Sequence, residues 1–130
     1  MLHRDYLLEV IEQFVNGISQ SLVRVFVHRD LDAAQDVEAA VSELVQLDPN
    51  TAMSLAPESL VTMMVLSGTG DAVAGYAAFA LNRLGEAYER IGEHELAEAR
   101  KAQARAIADS FGASLDEVPE ELRELNAQLH

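Results

Sequence analysis

Three short patterns contain residue types that catalysis and metal binding use. His28-Arg29-Asp30-Leu31, with Gln35 beyond it, copies the order of a protein-kinase catalytic loop, whose aspartate accepts the proton of the attacking hydroxyl. His94-Glu95-x-x-Glu98 offers half of a zinc-protease helix: one imidazole, the general base after it, and a glutamate where the second histidine belongs. Gly68-Thr69-Gly70 follows an apolar run and precedes a helical one, the position of a phosphate-cradling loop.

None of the three is completed. The glycine-rich loop, paired lysine and Asp-Phe-Gly triplet of a kinase are missing, so His28–Asp30 reads as an interhelix turn with an aspartate cap. The same triplet at His3-Arg4-Asp5 is also expected just ahead of a helix. His3, His28 and His130 are far from His94 in sequence, and His94 reads as an exposed residue opening a helix. Gly75 falls too late for a dinucleotide fingerprint, no lysine follows for a P-loop, and Asp71 would face the phosphates. There is no cysteine, and the serines show no nucleophile-elbow motif. The expectation is a protein that is not an enzyme, with no catalytic, metal or cofactor-binding residues.

The elements that position these residues read as helices. The chain has 130 residues, the size of one domain, and 49% hydrophobic content with only three prolines, which marks it as globular. Leu7, Ile11, Phe14, Ile18, Leu22 and Val25 form one stripe of a first helix over about 4–27, widened by Leu8, Val10, Val15, Val23, Phe26 and Val27. Such a broad face calls for burial on two sides, by this chain or a second copy. Asp5 near its start suits the positive end of the helix dipole.

A second helix follows, capped by Asp30 or Asp32, with Ala33, Val37, Ala40, Val41, Leu44 and Leu47 inward, and Asp48-Pro49-Asn50 ends it. Pro57-Glu58 opens a short helix whose Leu60, Val61, Met63, Met64, Val65 and Leu66 are apolar on all sides, which places it at the centre of the core. LVRVFV (22–27) and LVTMMVL (60–66) are rich enough in β-branched residues to suggest a strand pair. The first continues a helical phase, however, and two strands alone make a poor sheet. Helices over about 71–91 and 94–110 follow, with Gly92 as a left-handed cap between them and Phe111-Gly112 as the stop. Ser114-Leu115-Asp116-Glu117 has capping-box spacing, Pro119 is a second possible start, and Leu122, Leu125 and Leu129 mark one side of a last helix.

Residues 78–111 resemble a tetratricopeptide repeat. Leu84, Gly85 and Tyr88 match its first helix, Gly92 its turn, and Ala97 and Ala104 its second helix. Leu81 stands where the family has tryptophan, Lys101 replaces an aromatic residue, and Asp109 replaces the closing proline. A degenerate hairpin over about 4–47 keeps the spacing of Ala33, Val37 and Ala40 but lacks the Leu-Gly-x-x-Tyr signature. The whole pattern, with the opening Arg4-Asp5-Tyr6-Leu7-x-x-x-Ile11, resembles a bacterial family of small tetratricopeptide-like proteins of uncharacterised activity. The resemblance implies an all-α fold of about five to six helices, in antiparallel hairpins with a C-terminal capping helix, as one domain over 1–130. It also implies an interaction groove on the first helix of the better repeat, formed by Phe79, Asn82, Arg83, Glu86 and Glu89.

Charge narrows the partner. The net charge is −13, from 22 acidic and 9 basic residues, a field that repels nucleic acid and anionic lipid. Glu86 and Glu89 favour a basic or mixed peptide over an acidic one. No apolar leader or membrane span is expected, because Asp5, Glu9 and Glu12 interrupt the N-terminal run, and the chain reads as cytoplasmic. The alternatives are a homodimer sealed through the first helix and, more remotely, a helical bundle that binds a small ligand near Met63 and Met64.

Overall fold

The computed structural model describes residues 2–68 and 70–130, with side chains from residue 6 onward. The side chains of His3, Arg4 and Asp5, and Thr69 of the Gly-Thr-Gly pattern, therefore lie outside the described residues. The described chain is all helical: α1 (Leu2–His28), α2 (Leu31–Leu44), α3 (Pro49–Ser54), α4 (Pro57–Ser67), α5 (Gly70–Ile91), α6 (His94–Phe111), a 3-10 turn (Glu120–Leu122) and α7 (Arg123–Ala127). Both valine-rich runs are helical. Since α1 begins at Leu2, the His3-Arg4-Asp5 triplet lies inside its first turn and does not precede it.

Only residues 29 and 30 join α1 to α2, and only 92 and 93 join α5 to α6, so each pair folds back as an antiparallel hairpin. The α5/α6 pairing is the most extensive in the molecule, and α5 also packs on α1 and α2. The inward stripe of α1 (Phe14, Ile18, Leu22, Val25 and Phe26) joins Ala33, Val37 and Val41 of α2 and Ala77, Leu81 and Leu84 of α5 in one core.

The α5/α6 crossing is close because α5 has no side chain at Gly85. A Cβ built there would lie 2.6 Å from Lys101 Cγ and 3.1 Å from the Ala97 carbonyl oxygen. Gly92, at φ +95°, then turns the chain, and the Glu93 N–H closes onto the Tyr88 carbonyl at 2.9 Å.

Four sequence expectations are corrected. The α2 helix ends before Pro49, through Gln46 at φ 64° and a bond from the Leu47 N–H to the Ser42 carbonyl at 2.9 Å. Asp48-Pro49 instead starts α3, with the Asp48 carboxylate accepting from the N–H groups of Asn50 and Thr51 at 3.1 and 3.3 Å. The apolar α4 lies at an edge, packed mainly on α6. Only its Leu60 and Met64 are buried, while Val65 and Leu66 are 59% and 74% exposed. Finally, Ser114 opens no helix. Its hydroxyl accepts from the Asp116 N–H at 3.2 Å in a turn, and helical structure resumes only at Glu120.

Candidate functional site

The three sequence patterns are accounted for by local structure. Asp30 caps α2, its carboxylate accepting from the Asp32 N–H at 3.0 Å and from Arg24 Nη2 at 2.6 Å. The Arg24 hydrogen bond is the main reason its carboxyl is held below the usual aspartate range. Gly68, at φ 78°, is the left-handed cap of α4. Gly70 is buried where a Cβ would strike the Phe111 ring at 2.7 Å, so it is a packing residue. His94 opens α6 exposed to solvent, its Nδ1 3.1 Å from Glu89 Oε1. Among the described residues no cluster of three or more His, Cys, Asp or Glu side chains could hold a metal ion, and no helix is long and apolar enough to cross a membrane.

Four of the five groove residues converge. Phe79, Asn82, Arg83 and Glu86 of α5 line one cavity of about 320 Å³, whose opposite wall is Leu115, Asp116, Val118 and Asn126. Phe79 is nearly buried, and Asn82, Arg83 and Glu86 are half-buried. The fifth, Glu89, is exposed and directed toward α6, 3.9 Å from Lys101 Nζ as well as beside His94. It is not part of this cavity.

The opposite wall belongs to residues 113–130, a strap that returns from the end of α6 along α5. Pro119 faces Gly75, Glu121 lies beside the Tyr76 phenol, Asn126 binds Arg83, and the His130 backbone oxygen accepts from Arg90 Nη1. These contacts advance together along both segments, so the strap runs parallel to α5. On its other flank Glu121 shares a cleft with Leu8, Ile11, Glu12, Val15 and Asn16 of α1. The strap therefore lies on the face common to α1 and α5, with Leu122, Leu125 and Leu129 buried beneath it.

The arginines of this face are occupied. Arg83 donates from Nε to Asn126 Oδ1 at 3.0 Å, donates to the same oxygen from Nη2, and reaches Glu86 Oε1 at 3.2 Å. Arg90 lies 4.0 Å over the Phe26 ring of α1 and also donates to the Phe26 carbonyl at 3.2 Å. Burial, together with the Glu121 carboxylate, pushes the Tyr76 phenol up to about 12.

A second polar cluster has no counterpart in the sequence reading. Arg100 and Gln103 are almost fully buried on α6, on the same face as Ala97, Ala104 and Ile107. Arg100 donates to the Met53 carbonyl at 3.0 Å and to Gln103 Oε1 at 2.6 Å, and its Nε is 3.4 Å from Glu38 Oε2. Gln103 Nε2 donates to the carbonyls of Ala52 and Leu55, each at 3.1 Å. Together the two side chains satisfy the open carbonyls at the end of α3 and fasten it to α6. Tyr88 donates to Glu38 Oε2 at 2.9 Å, and burial raises its phenol well above the ordinary tyrosine value. The signal was a pair of polar residues at i, i+3 on an otherwise apolar stripe.

Compared with protein-family models, curated proteins and solved structures, the chain matches none.

Proposed function

We propose that this protein is a non-enzymatic interaction module of tetratricopeptide-like build, which receives a short basic or mixed protein segment on the face shared by α1 and α5. The observation that carries the reading is the convergence of Phe79, Asn82, Arg83 and Glu86 on one cavity. Polar and charged side chains around the apolar Phe79, Leu115 and Val118 suit recognition of an extended or helical segment of mixed character. The net charge of −13 steers basic segments toward it, and the absence of cysteine fits a cytoplasmic setting.

The test is selection of binders from a displayed peptide library, followed by Asn82→Ala and Glu86→Lys. Basic or mixed segments that lose binding to both variants are expected. Binders that are uniformly acidic, or indifferent to both substitutions, would refute the groove.

A second reading, self-association, is favoured by the bare face of α4, where Met63, Val65 and Leu66 stand exposed together. The broad stripe of α1 is largely spent inside the chain, leaving Tyr6, Leu8 and Val27 outside, so α4 is the better seam. A dimer mass by light scattering at micromolar concentration that reverts to monomer in Leu66→Glu would support it. A monomer mass for the unmodified chain would exclude it. The small-ligand reading gains nothing at Met63 and Met64: Met64 is core and Met63 faces outward.

A further inference from the structure

The groove reading leaves one observation unexplained: the face offered to a partner already carries residues 113–130. Two polar groups of the strap meet arginines there. Asn126 Oδ1 takes both N–H groups that Arg83 directs outward, and the His130 backbone oxygen takes one from Arg90. The leucines at 122, 125 and 129 fill the apolar floor. This is how a bound peptide satisfies a groove, apolar anchors on one side and a side-chain amide at the edge.

We propose that the strap is a displaceable internal occupant of the α1/α5 groove, and that the external ligand is a segment of the same chemistry: leucines at the spacing of 122, 125 and 129, with a side-chain amide oxygen opposite Arg83. This rests on the groove reading and adds a gate to it.

Three features make the strap able to leave. Its tie to α6 ends at Ala113, whose N–H closes the Gly112 cap onto the Ala108 carbonyl at 2.9 Å, so only the residues beyond Ala113 need to move. Residues 113–119 form no regular helix, and the helical pieces after them, Glu120–Leu122 and Arg123–Ala127, are too short to stand alone. The strap's gain is three buried leucines, the partly buried Ala113, Leu115 and Val118, and three polar contacts, and ordering its backbone offsets much of that gain. Helices α1, α2 and α5 pack directly on one another, and α5 packs on α6. A tethered occupant competes at an effective concentration in the millimolar range, so an external segment must bind well to displace it.

A disulfide lock tests the gate. A Cβ at Gly75 lies 3.9 Å from Pro119 Cγ, so cysteines at the two positions face each other; the chain has no cysteine of its own, and thiol titration reads directly whether the bridge has formed. The full-length Gly75→Cys/Pro119→Cys variant, oxidised and then reduced, is titrated with a fluorescent synthetic peptide of residues 113–130 carrying Glu117→Lys, Glu120→Lys and Glu124→Lys, which keeps the leucines and Asn126 and makes the segment basic. Native-state hydrogen exchange of the unmodified chain is followed in parallel. Peptide uptake should fall at least tenfold in the oxidised form and return on reduction, and strap amides should exchange faster than those of α5 and α6. Equal protection of strap and α5, or equal uptake in both redox states, overturns the gate. An opening strap with no uptake in either state overturns the groove as a binding site.

Discussion

Replacing Gly85 with alanine should destabilise the protein, although the same change elsewhere in a helix stabilises it. Glycine inside a helix costs about 1 kcal/mol relative to alanine, so the substitution begins with a gain of about that size. Against it stands the α5/α6 crossing. The new methyl would lie 3.1 Å from the Ala97 carbonyl oxygen and 3.3 Å from the Lys101 backbone nitrogen, both main-chain atoms of α6 that cannot rotate away. Its third neighbour, Lys101 Cγ at 2.6 Å, is close to the backbone and has little freedom to retreat. Overpacking of this kind costs about 1–3 kcal/mol, which leaves a net loss of up to about 2 kcal/mol. Gly17, exposed in the middle of α1 with nothing within 4 Å of its virtual Cβ, is the control. Gly17→Ala keeps the helix gain and pays no contact cost, so it should stabilise by about 1 kcal/mol. The difference between the two variants isolates the crossing, because the propensity gain is common to both. Urea denaturation followed by circular dichroism measures it, with an unchanged slope as the condition for comparison. Near-equal stability of Gly85→Ala and Gly17→Ala would show that α6 does not approach α5 at this point.

Other expectations follow from single sites. Gln46 holds a left-handed conformation at the end of α2, so Gln46→Gly should raise stability by about 1 kcal/mol in the same assay. Arg100→Ala would leave Glu38 without its ion pair and the Met53 carbonyl without its donor, and should cost about 3–5 kcal/mol. Arg100→Lys should not restore the loss, since one ammonium cannot serve Glu38, Gln103 and Met53 together. The Tyr76 phenol ionises at about 12 in the fold against 10.0 for the free side chain. The unfolded chain therefore loses this proton first, and the stability linked to Tyr76 is complete below pH 10 and lost as pH rises toward about 12. Tyrosinate absorbance of the native chain beside its Tyr76→Phe variant locates that titration.

What could be read from the sequence was phase. The stripes of α1, α2, α5 and α6 each repeat at helical spacing, so their existence and inward faces were legible. The Gly85–Ala97 approach was legible too, because a mid-helix glycine beside a small-residue position needs a packing reason. The α4 helix was misplaced because a segment apolar on every side has no phase to point with. Arg100 and Gln103 were missed because their partners are backbone carbonyls more than one element away. Gln46 gave no signal, since its left-handed turn has no glycine. All five proposed groove residues lie on α5, and Phe79, Asn82, Arg83 and Glu86 share one cavity while Glu89 does not; the strap facing them was hidden because its short helices carry three leucines and no long repeat.

The α3–α4 segment behaves as an insertion. The α1/α2 and α5/α6 hairpins touch directly, so this piece does not mediate their packing. Arg100 and Gln103 are its polar sockets on α6, and the buried Leu60 and Met64 of α4 anchor it in the core as well. A shortened chain in which a plain linker replaces α3 and α4 should keep its hairpins only if both sockets become apolar in the same step. The reverse holds for a protein gaining such a module: the loop and two residues of a distant helix must arrive together, which makes the segment hard to acquire gradually and, once fastened, hard to lose.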